Sequence, residues 1–182
     1  MNKIKFLLVA GIFCLLSLTA NAQQLAIKTN LLSDALMAPS VGFELVTGEH
    51  TSVDFQGMTT LNNPYHKNIS LTMIQPEYRY WYAGRPMTRG FIGIAGTLAQ
   101  YDATWKNTTY DGYAGGVGVT MGYVFHLGSR MNIEFQGGVG AYYTHHKQFN
   151  PALTLDAEKE PYHNAMQMLP TKFGISFVYI LK

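Results

Sequence analysis

The fourteen-residue segment from Met131 to Thr144 alternates between two kinds of residue at every step. Its odd positions are apolar or small, and its even positions are mostly polar or glycine. Because successive side chains of a β-strand point to opposite faces, this pattern predicts a strand with one apolar and one polar face. The same alternation recurs along most of the chain, and repeated strands with apolar outsides and polar insides are typical of an outer-membrane β-barrel.

The N-terminus has the three parts of a secretory signal peptide. Two lysines lie within the first five residues, residues 6–18 form an apolar stretch, and Ala20-Asn21-Ala22 provides a small-x-small cleavage site. We therefore expect residues 1–22 to be cleaved after export. Residues 23–182 then form one domain, a length that suits a single barrel.

Composition excludes several classes of function. Cys14 is the only cysteine and lies in the predicted leader, so a mature thiol for a disulfide, metal site or nucleophile is excluded. Removing two lysines from the 13 basic residues leaves 11, equal to the 11 acidic residues, which disfavours nucleic acid as a partner. After Gln23 no stretch approaches the roughly 20 apolar residues of a membrane helix. A membrane-spanning mature chain must therefore be a closed barrel.

Eight strands are predicted, separated by connections that alternate between short and long. The expected strands are 24–32, 40–47, 51–61, 69–83, 90–104, 112–127, 130–148 and 166–181. Short turns are expected at 48–50, 84–89 and 128–129, and longer polar loops at 62–67, 105–111 and 149–165. Short periplasmic turns and long external loops are usual in such barrels. The fold class predicted is thus an all-β, eight-stranded antiparallel up-and-down transmembrane β-barrel.

Following the alternation through the strands places seven charged residues inside the barrel. These are Lys28, Glu44, Asp54, Glu77, Arg79, Glu134 and Lys172. An eight-stranded barrel is just wide enough to be filled by its own side chains, so we interpret these charges as a paired structural network rather than an ion path. The fourth strand changes parity between Met73 and Tyr78, which predicts a β-bulge near Pro76. The inward placement of its two charges depends on that bulge.

Aromatic residues are predicted to form two bands at the membrane interfaces. The periplasmic band comprises Tyr78, Tyr80, Trp81 and Tyr82, and the outer band Tyr101, Trp105, Tyr142 and Tyr143. Candidate contacts for a surface protein or glycan lie near the outer loops: Trp105, Tyr110, Tyr113, His145 and His163. His145 and His146 point to opposite faces of a strand, which disfavours a metal site. No residue set is assigned to catalysis, and no cofactor is expected.

Three segments also carry a resemblance to a known family. They are Lys28-Thr29-Asn30-Leu31-Leu32-Ser33-Asp34-Ala35 with Pro39-Ser40-Val41-Gly42-Phe43-Glu44, Gln75-Pro76-Glu77-Tyr78-Arg79-Tyr80-Trp81, and Pro170-Thr171-Lys172. With these segments the chain resembles the family named domain of unknown function 3575. The resemblance implies an outer-membrane β-barrel of a Gram-negative bacterium, sometimes encoded near fimbrial components, with no established activity. Such barrels commonly end on an aromatic residue, whereas this chain ends on Leu181-Lys182.

The function expected from the sequence is a non-enzymatic structural or surface-binding role through the external loops. Expected partners are outer-membrane lipid and the outer-membrane assembly machinery. One alternative is a barrel-embedded enzyme that modifies lipids of the outer leaflet, which needs a histidine and an acidic partner at the outer rim. A second alternative is a soluble periplasmic β-barrel that binds an apolar ligand, with the polarity of its two faces reversed.

Overall fold

The structure is a computed structural model that describes residues 24–60, 69–105, 108–149 and 162–181. The predicted leader lies outside the described residues. The described residues form eight strands and one short helix. They are β1 (Leu25–Asn30), α1 (Leu31–Ala35), β2 (Ser40–Val46), β3 (Thr51–Thr59), β4 (Ile69–Tyr80), β5 (Arg89–Trp105), β6 (Thr108–His126), β7 (Met131–Phe149) and β8 (Tyr162–Ile180).

The eight strands form one up-and-down sheet that closes into a ring. Each strand pairs antiparallel with the next along the chain, and β1 pairs with β8 from Ala26 opposite Ile180 to Asn30 opposite Ser176. We call the end that carries residues 31–39 the helix end, and the end that carries residues 47–50, 81–88 and 127–130 the turn end. The predicted all-β class, strand number and antiparallel order are confirmed.

The alternation in the sequence separates the two faces of the sheet. In β7, Asn132, Glu134 and Gln136 are buried inside the ring, whereas Phe135 and Val139 are exposed on its outside. The same division holds in β2, where Glu44 is buried between the exposed Phe43 and the half-buried Leu45. The outside of the ring is therefore mainly apolar and its inside is mainly polar.

The bulge predicted near Pro76 is wrong, and a register shift occurs in β8 instead. The pairing of β4 with β3 is continuous from Thr51 opposite Tyr80 to Thr59 opposite Thr72. The β7–β8 pairing shifts between Gly137 and Val139, where Thr171 and Lys172 together face one residue of β7. Because of this bulge, both Thr171 and Lys172 are buried.

The continuous register of β4 changes what its inner face contains. Leu71 and Met73 share the inward parity of Gln75, Glu77 and Arg79. The apparent change of parity in the sequence is therefore a change in chemistry along one inward face, from apolar to charged. The two inward charges of β4 do not need a bulge to reach the interior.

The strands differ in length around the ring. β1, β2 and β3 contain six, seven and nine residues, whereas β6, β7 and β8 each contain 19. The predicted loop at 105–111 is largely strand, since Trp105 pairs with Thr108, and β8 begins at Tyr162 within the predicted loop at 149–165. The sequence of these extensions is mostly polar, so hydrophobic alternation cannot reveal them.

A single helical turn connects β1 with β2. The Asn30 side-chain oxygen accepts hydrogen bonds from the backbone N–H of Leu32 (3.1 Å) and Ser33 (3.4 Å), which caps the start of α1. Asp34 then accepts a hydrogen bond from the backbone N–H of Ser40 at 2.8 Å and so ties the helix to β2. In the described part of the chain, no helix has the length and hydropathy needed to cross a membrane.

Candidate functional site

The seven charged residues predicted to lie inside come together in one interior cluster. Each is at most 4% exposed, and they project from β1, β2, β3, β4, β7 and β8. We call them the charge cluster: Lys28, Glu44, Asp54, Glu77, Arg79, Glu134 and Lys172. Burial of so many charges is costly unless each is paired and hydrogen-bonded.

Arg79 lies at the centre of the cluster. Its Nη1 donates to Glu44 Oε2 at 2.9 Å and to Glu134 Oε2 at 3.0 Å. Its Nη2 donates to Glu77 Oε2 at 2.9 Å and to Asp54 Oδ2 at 3.1 Å. One guanidinium group thereby joins β2, β3, β4 and β7, because its planar set of fixed N–H donors can serve several acceptors at once.

Two lysines complete the pairing from either side of the β8–β1 seam. Lys28 Nζ lies 2.6 Å from Glu44 Oε2, 3.1 Å from Asp54 Oδ1 and 3.3 Å from Glu134 Oε2. Lys172 Nζ lies 2.8 Å from Asp54 Oδ2 and 2.7 Å from Glu77 Oε2. Together with Arg79 the lysines bind all four carboxylates, so the cluster links opposite sides of the ring.

The cluster has one more carboxylate than it has cations. Three positive and four negative side chains leave a formal net charge of −1. Glu134 Oε1 is buried and has no hydrogen-bond partner among the described residues, and Ser176 lies directly opposite Glu134 on β8. The paired charges of the cluster stabilise the ring, and the cluster as a whole carries one excess negative charge.

An apolar plug closes the interior at the turn end. Trp81 and Phe91 are fully buried and pack with ring centroids 4.8 Å apart, with Val124 beside them. The Trp81 indole N–H donates to Ser52 Oγ at 2.8 Å. The predicted placement of Trp81 in an external aromatic band is therefore wrong. Trp81 fills the interior because it has the same inward parity as Arg79. The Arg79 guanidinium lies 4.3 Å from the centre of the Phe91 ring, so the plug also contacts the charge cluster.

Neutral polar side chains form a layer on the helix-end side of the cluster. Gln75 Nε2 donates to Thr97 Oγ1 at 3.0 Å and to the Thr171 carbonyl at 2.6 Å. The Tyr142 and Thr97 hydroxyls are 3.0 Å apart. Tyr142 is only 5% exposed, so its predicted place in the outer aromatic band is also wrong, whereas the neighbouring Tyr143 is exposed.

A cavity of about 790 Å³ lies at the helix end of the interior, between α1 and strands β3, β4 and β8. Apolar side chains, among them Met58, Leu71 and Met73, form part of its wall. Gln136 and Lys172 also line it. The interior therefore consists of an apolar plug, a charge cluster, a polar layer and an apolar-walled cavity.

Comparison with known proteins gives a family and no activity. The chain matches the family described as "Protein of unknown function (DUF3575)" over residues 8–181. The protein belongs to this family. Neither a curated protein nor a solved structure is significantly similar to it.

Two of the five residues proposed as loop contacts in this DUF3575 protein have described side chains. Tyr113 and His145 are register partners at the extended ends of β6 and β7. Tyr113 is exposed, and His145 Nδ1 lies 2.6 Å from Asn164 Oδ1. Trp105, Tyr110 and His163 lie in β5, β6 and β8, but their side chains are outside the described part. Within that part, no group of three potential metal ligands is found.

Sequence reasoning missed the residues that form the cavity. The change of parity predicted in the fourth strand implies that Leu71 and Met73 point outward, whereas both line the cavity. A continuous odd parity from Leu71 to Arg79 is the signal that would have placed them inside. Gln136 followed the alternation of β7, but nothing local indicated that its amide lines a cavity.

Proposed function

We propose that this DUF3575 protein is an outer-membrane β-barrel of a Gram-negative bacterium, with a structural or surface-binding role through the connections at its helix end. The proposal includes export by the leader, assembly by the outer-membrane machinery, and contact with outer-membrane lipid. A surface protein or glycan is the proposed binding partner. The single observation that carries the proposal is an apolar belt around the outside of the ring.

The belt continues across all eight strand pairings. Outward apolar or aromatic residues face one another at every interface between neighbouring strands. The pairs are Ile27 with Phe43, Phe43 with Phe55, Phe55 with Pro76, Tyr78 with Ile94, Ile94 with Val119, Val119 with Val139, Phe135 with Ile175, and Ile27 with Tyr179. A soluble monomer rarely exposes a contiguous apolar patch above a few hundred Å². A lipid environment removes that cost.

The interior favours this proposal over a soluble carrier of apolar ligands. A soluble barrel has apolar residues inside and polar residues outside, which is the reverse of the division in β2 and β7. The charge cluster and the plug also favour a closed interior over an open pore.

Single-cysteine labelling in cells tests topology and membrane insertion together. The mature chain has no native cysteine, so Ala35→Cys at the helix end, Ser129→Cys at the turn end and Val119→Cys on the belt each supply one thiol. A membrane-impermeant maleimide is added to intact cells and, separately, to cells whose outer membrane has been permeabilised without being dissolved. Ala35 and Ser129 are both exposed in the structure, and Val119 is 61% exposed.

The three sites distinguish a membrane protein from a soluble one. We expect Ala35→Cys to react in intact cells, Ser129→Cys to react only after permeabilisation, and Val119→Cys to stay unreactive in both. Reaction of Val119→Cys alongside Ser129→Cys after permeabilisation would mean that the belt faces water, and the membrane proposal would then fail. Labelling of Ser129→Cys but not Ala35→Cys in intact cells would reverse the topology.

A further inference from the structure

A buried glutamine that borders the cavity at the helix end has an NH₂ group with no partner among the described residues. Gln136 is 6% exposed, and its Oε1 accepts a hydrogen bond from Arg79 Nη2 at 2.9 Å. Arginine can only donate, so the amide oxygen must face it and the NH₂ group must point elsewhere. Gln136 Nε2 has no hydrogen-bond partner among the described residues. Leaving a buried donor unpaired is unfavourable, so the site favours a molecule that brings an acceptor.

The electrostatics of the cavity floor limit the charge of that acceptor. Lys172 lines the cavity, but its ammonium group is bound to Asp54 and Glu77. The charge cluster beneath has an excess of one negative charge. A carboxylate or phosphate placed beside it is repelled, whereas a neutral carbonyl oxygen accepts the amide hydrogen without that cost.

The wall and the mouth of the cavity fit an apolar chain. Met58, Leu71 and Met73 line it, and flexible methionine side chains adapt to apolar ligands of varied shape. The mouth reaches two exposed side chains, Leu36 at 69% and Phe173 at 76%. Phe173 faces outward on β8, beyond the last pair that β8 makes with β1. The cavity thus opens toward the side of the ring that carries the apolar belt.

From these observations we infer that the cavity is a binding site for a neutral amphiphile, a molecule with an apolar chain and a carbonyl-type acceptor head. The head accepts a hydrogen bond from Gln136 Nε2, and the chain runs past Met73 and Leu71 toward the mouth. A volume of about 790 Å³ lies within the roughly 300–1,000 Å³ typical of ligand sites. The inference goes beyond the proposed function, because it assigns a role to the interior.

Methionine methyl groups provide reporters inside and outside the cavity. The protein is labelled with carbon-13 at its methionine methyls, placed in lipid nanodiscs, and titrated with 2-decanone, which has an acceptor head and no donor. Met58 and Met73 report on the cavity. Met121 and Met168 are exposed on the outside and report on the probe dissolved in lipid, and Met87 reports on a separate buried cluster that it forms with Ala26 and Val178. Co-elution with the nanodisc shows independently whether the protein inserts, which separates this test from the membrane proposal.

We expect the Met58 and Met73 signals to shift and saturate, while those of Met121 and Met168 change only in proportion to the probe. Undecane lacks the head and therefore loses one buried hydrogen bond, so it should bind the cavity about tenfold more weakly than 2-decanone. Decanoate carries a charge that the cluster repels, and it should also bind about tenfold more weakly than 2-decanone. Cavity signals that merely follow those of Met121 would overturn the site. Binding of decanoate as tight as that of the ketone would overturn the neutral head.

A pair of variants tests the role of the amide. Gln136→Glu keeps an oxygen for Arg79 and removes the free donor, so its affinity for 2-decanone should fall by about tenfold or more. Gln100→Glu adds the same charge to an exposed glutamine that does not line the cavity and should change that affinity by less than about threefold. Equal losses in the two variants would mean that Gln136 is not the donor. Comparison of the three probes on the unmodified protein remains decisive if either variant misfolds.

Discussion

The stability of the ring should be far more sensitive to loss of a cation than to loss of a carboxylate. Lys172 is 4% exposed, and its Nζ lies 2.8 Å from Asp54 and 2.7 Å from Glu77. Lys172→Met keeps the length of the side chain, removes both ion pairs and lowers the net charge of the cluster from −1 to −2. Breaking a buried pair by removing one partner costs about 3–5 kcal/mol, and we expect a loss of that size in the free energy of unfolding.

Glu134→Gln is the matched control because it brings the cluster to zero net charge. The Glu134 Oε2 atom accepts from Arg79 at 3.0 Å and lies 3.3 Å from the Lys28 ammonium. A glutamine keeps one oxygen for these donors and places its NH₂ where Glu134 Oε1 has no partner among the described residues. The free energy of unfolding should therefore change by no more than about 1 kcal/mol.

Both values can be measured by urea unfolding of the protein refolded into phospholipid vesicles. Trp81 is fully buried in the plug next to the charge cluster, so its fluorescence reports loss of the interior. A Trp105→Phe background removes the signal of the second tryptophan. If Glu134→Gln destabilised the ring as much as Lys172→Met, or if Lys172→Met cost less than about 1 kcal/mol, the reasoning from net charge and burial would be refuted.

Two further pairs of variants test the outer face and the packing of the interior. Val119→Arg should block membrane assembly, since a charge near the bilayer midplane costs about 2–4 kcal/mol, whereas Leu127→Arg at the turn end should cost at most about 1 kcal/mol. Assembly of both variants is measured by heat-modifiable migration of the protein from the outer-membrane fraction. Normal assembly of Val119→Arg would count against the belt. Gly118→Ala places a methyl group against the Thr171 hydroxyl and should lower the free energy of unfolding by about 1–3 kcal/mol. The control Gly137→Ala places its methyl group where nothing lies within 4 Å and should be tolerated. Equal midpoints of urea unfolding for the two variants would contradict this packing.

Much of the architecture could be predicted from the sequence because β-structure has a period of two residues. That period identified eight strands and separated their two faces. It also predicted the inward positions of five charged residues that follow the parity of their own strands: Lys28, Glu44, Asp54, Glu134 and Lys172. The inward prediction for Glu77 and Arg79 rested on a bulge that β4 does not have. Turn residues marked the short connections. All of these features depend on neighbours in the chain, which is why they can be read from the chain alone.

The alternation failed where the backbone or the chemistry of a face departed from it. The bulge was assigned to Pro76, although the register of β4 is continuous and the extra residue lies at Thr171 and Lys172. Trp81 was placed on the outside because aromatic residues commonly mark membrane interfaces. Its burial against Phe91 depends on the closure of the ring around it. The polar extensions of the long strands gave no periodic signal.

The sequence by itself therefore determined the strands and the inward parity of most charged side chains, and the tertiary structure alone decided which of them meet. Lys172 and Asp54 are 118 positions apart and come within 2.8 Å only because β8 closes against β1 and bulges at that point. The cavity likewise depends on α1, β3, β4 and β8 together. A strand's periodicity is local, whereas contacts across a closed sheet depend on register, strand length and bulges summed around the whole ring.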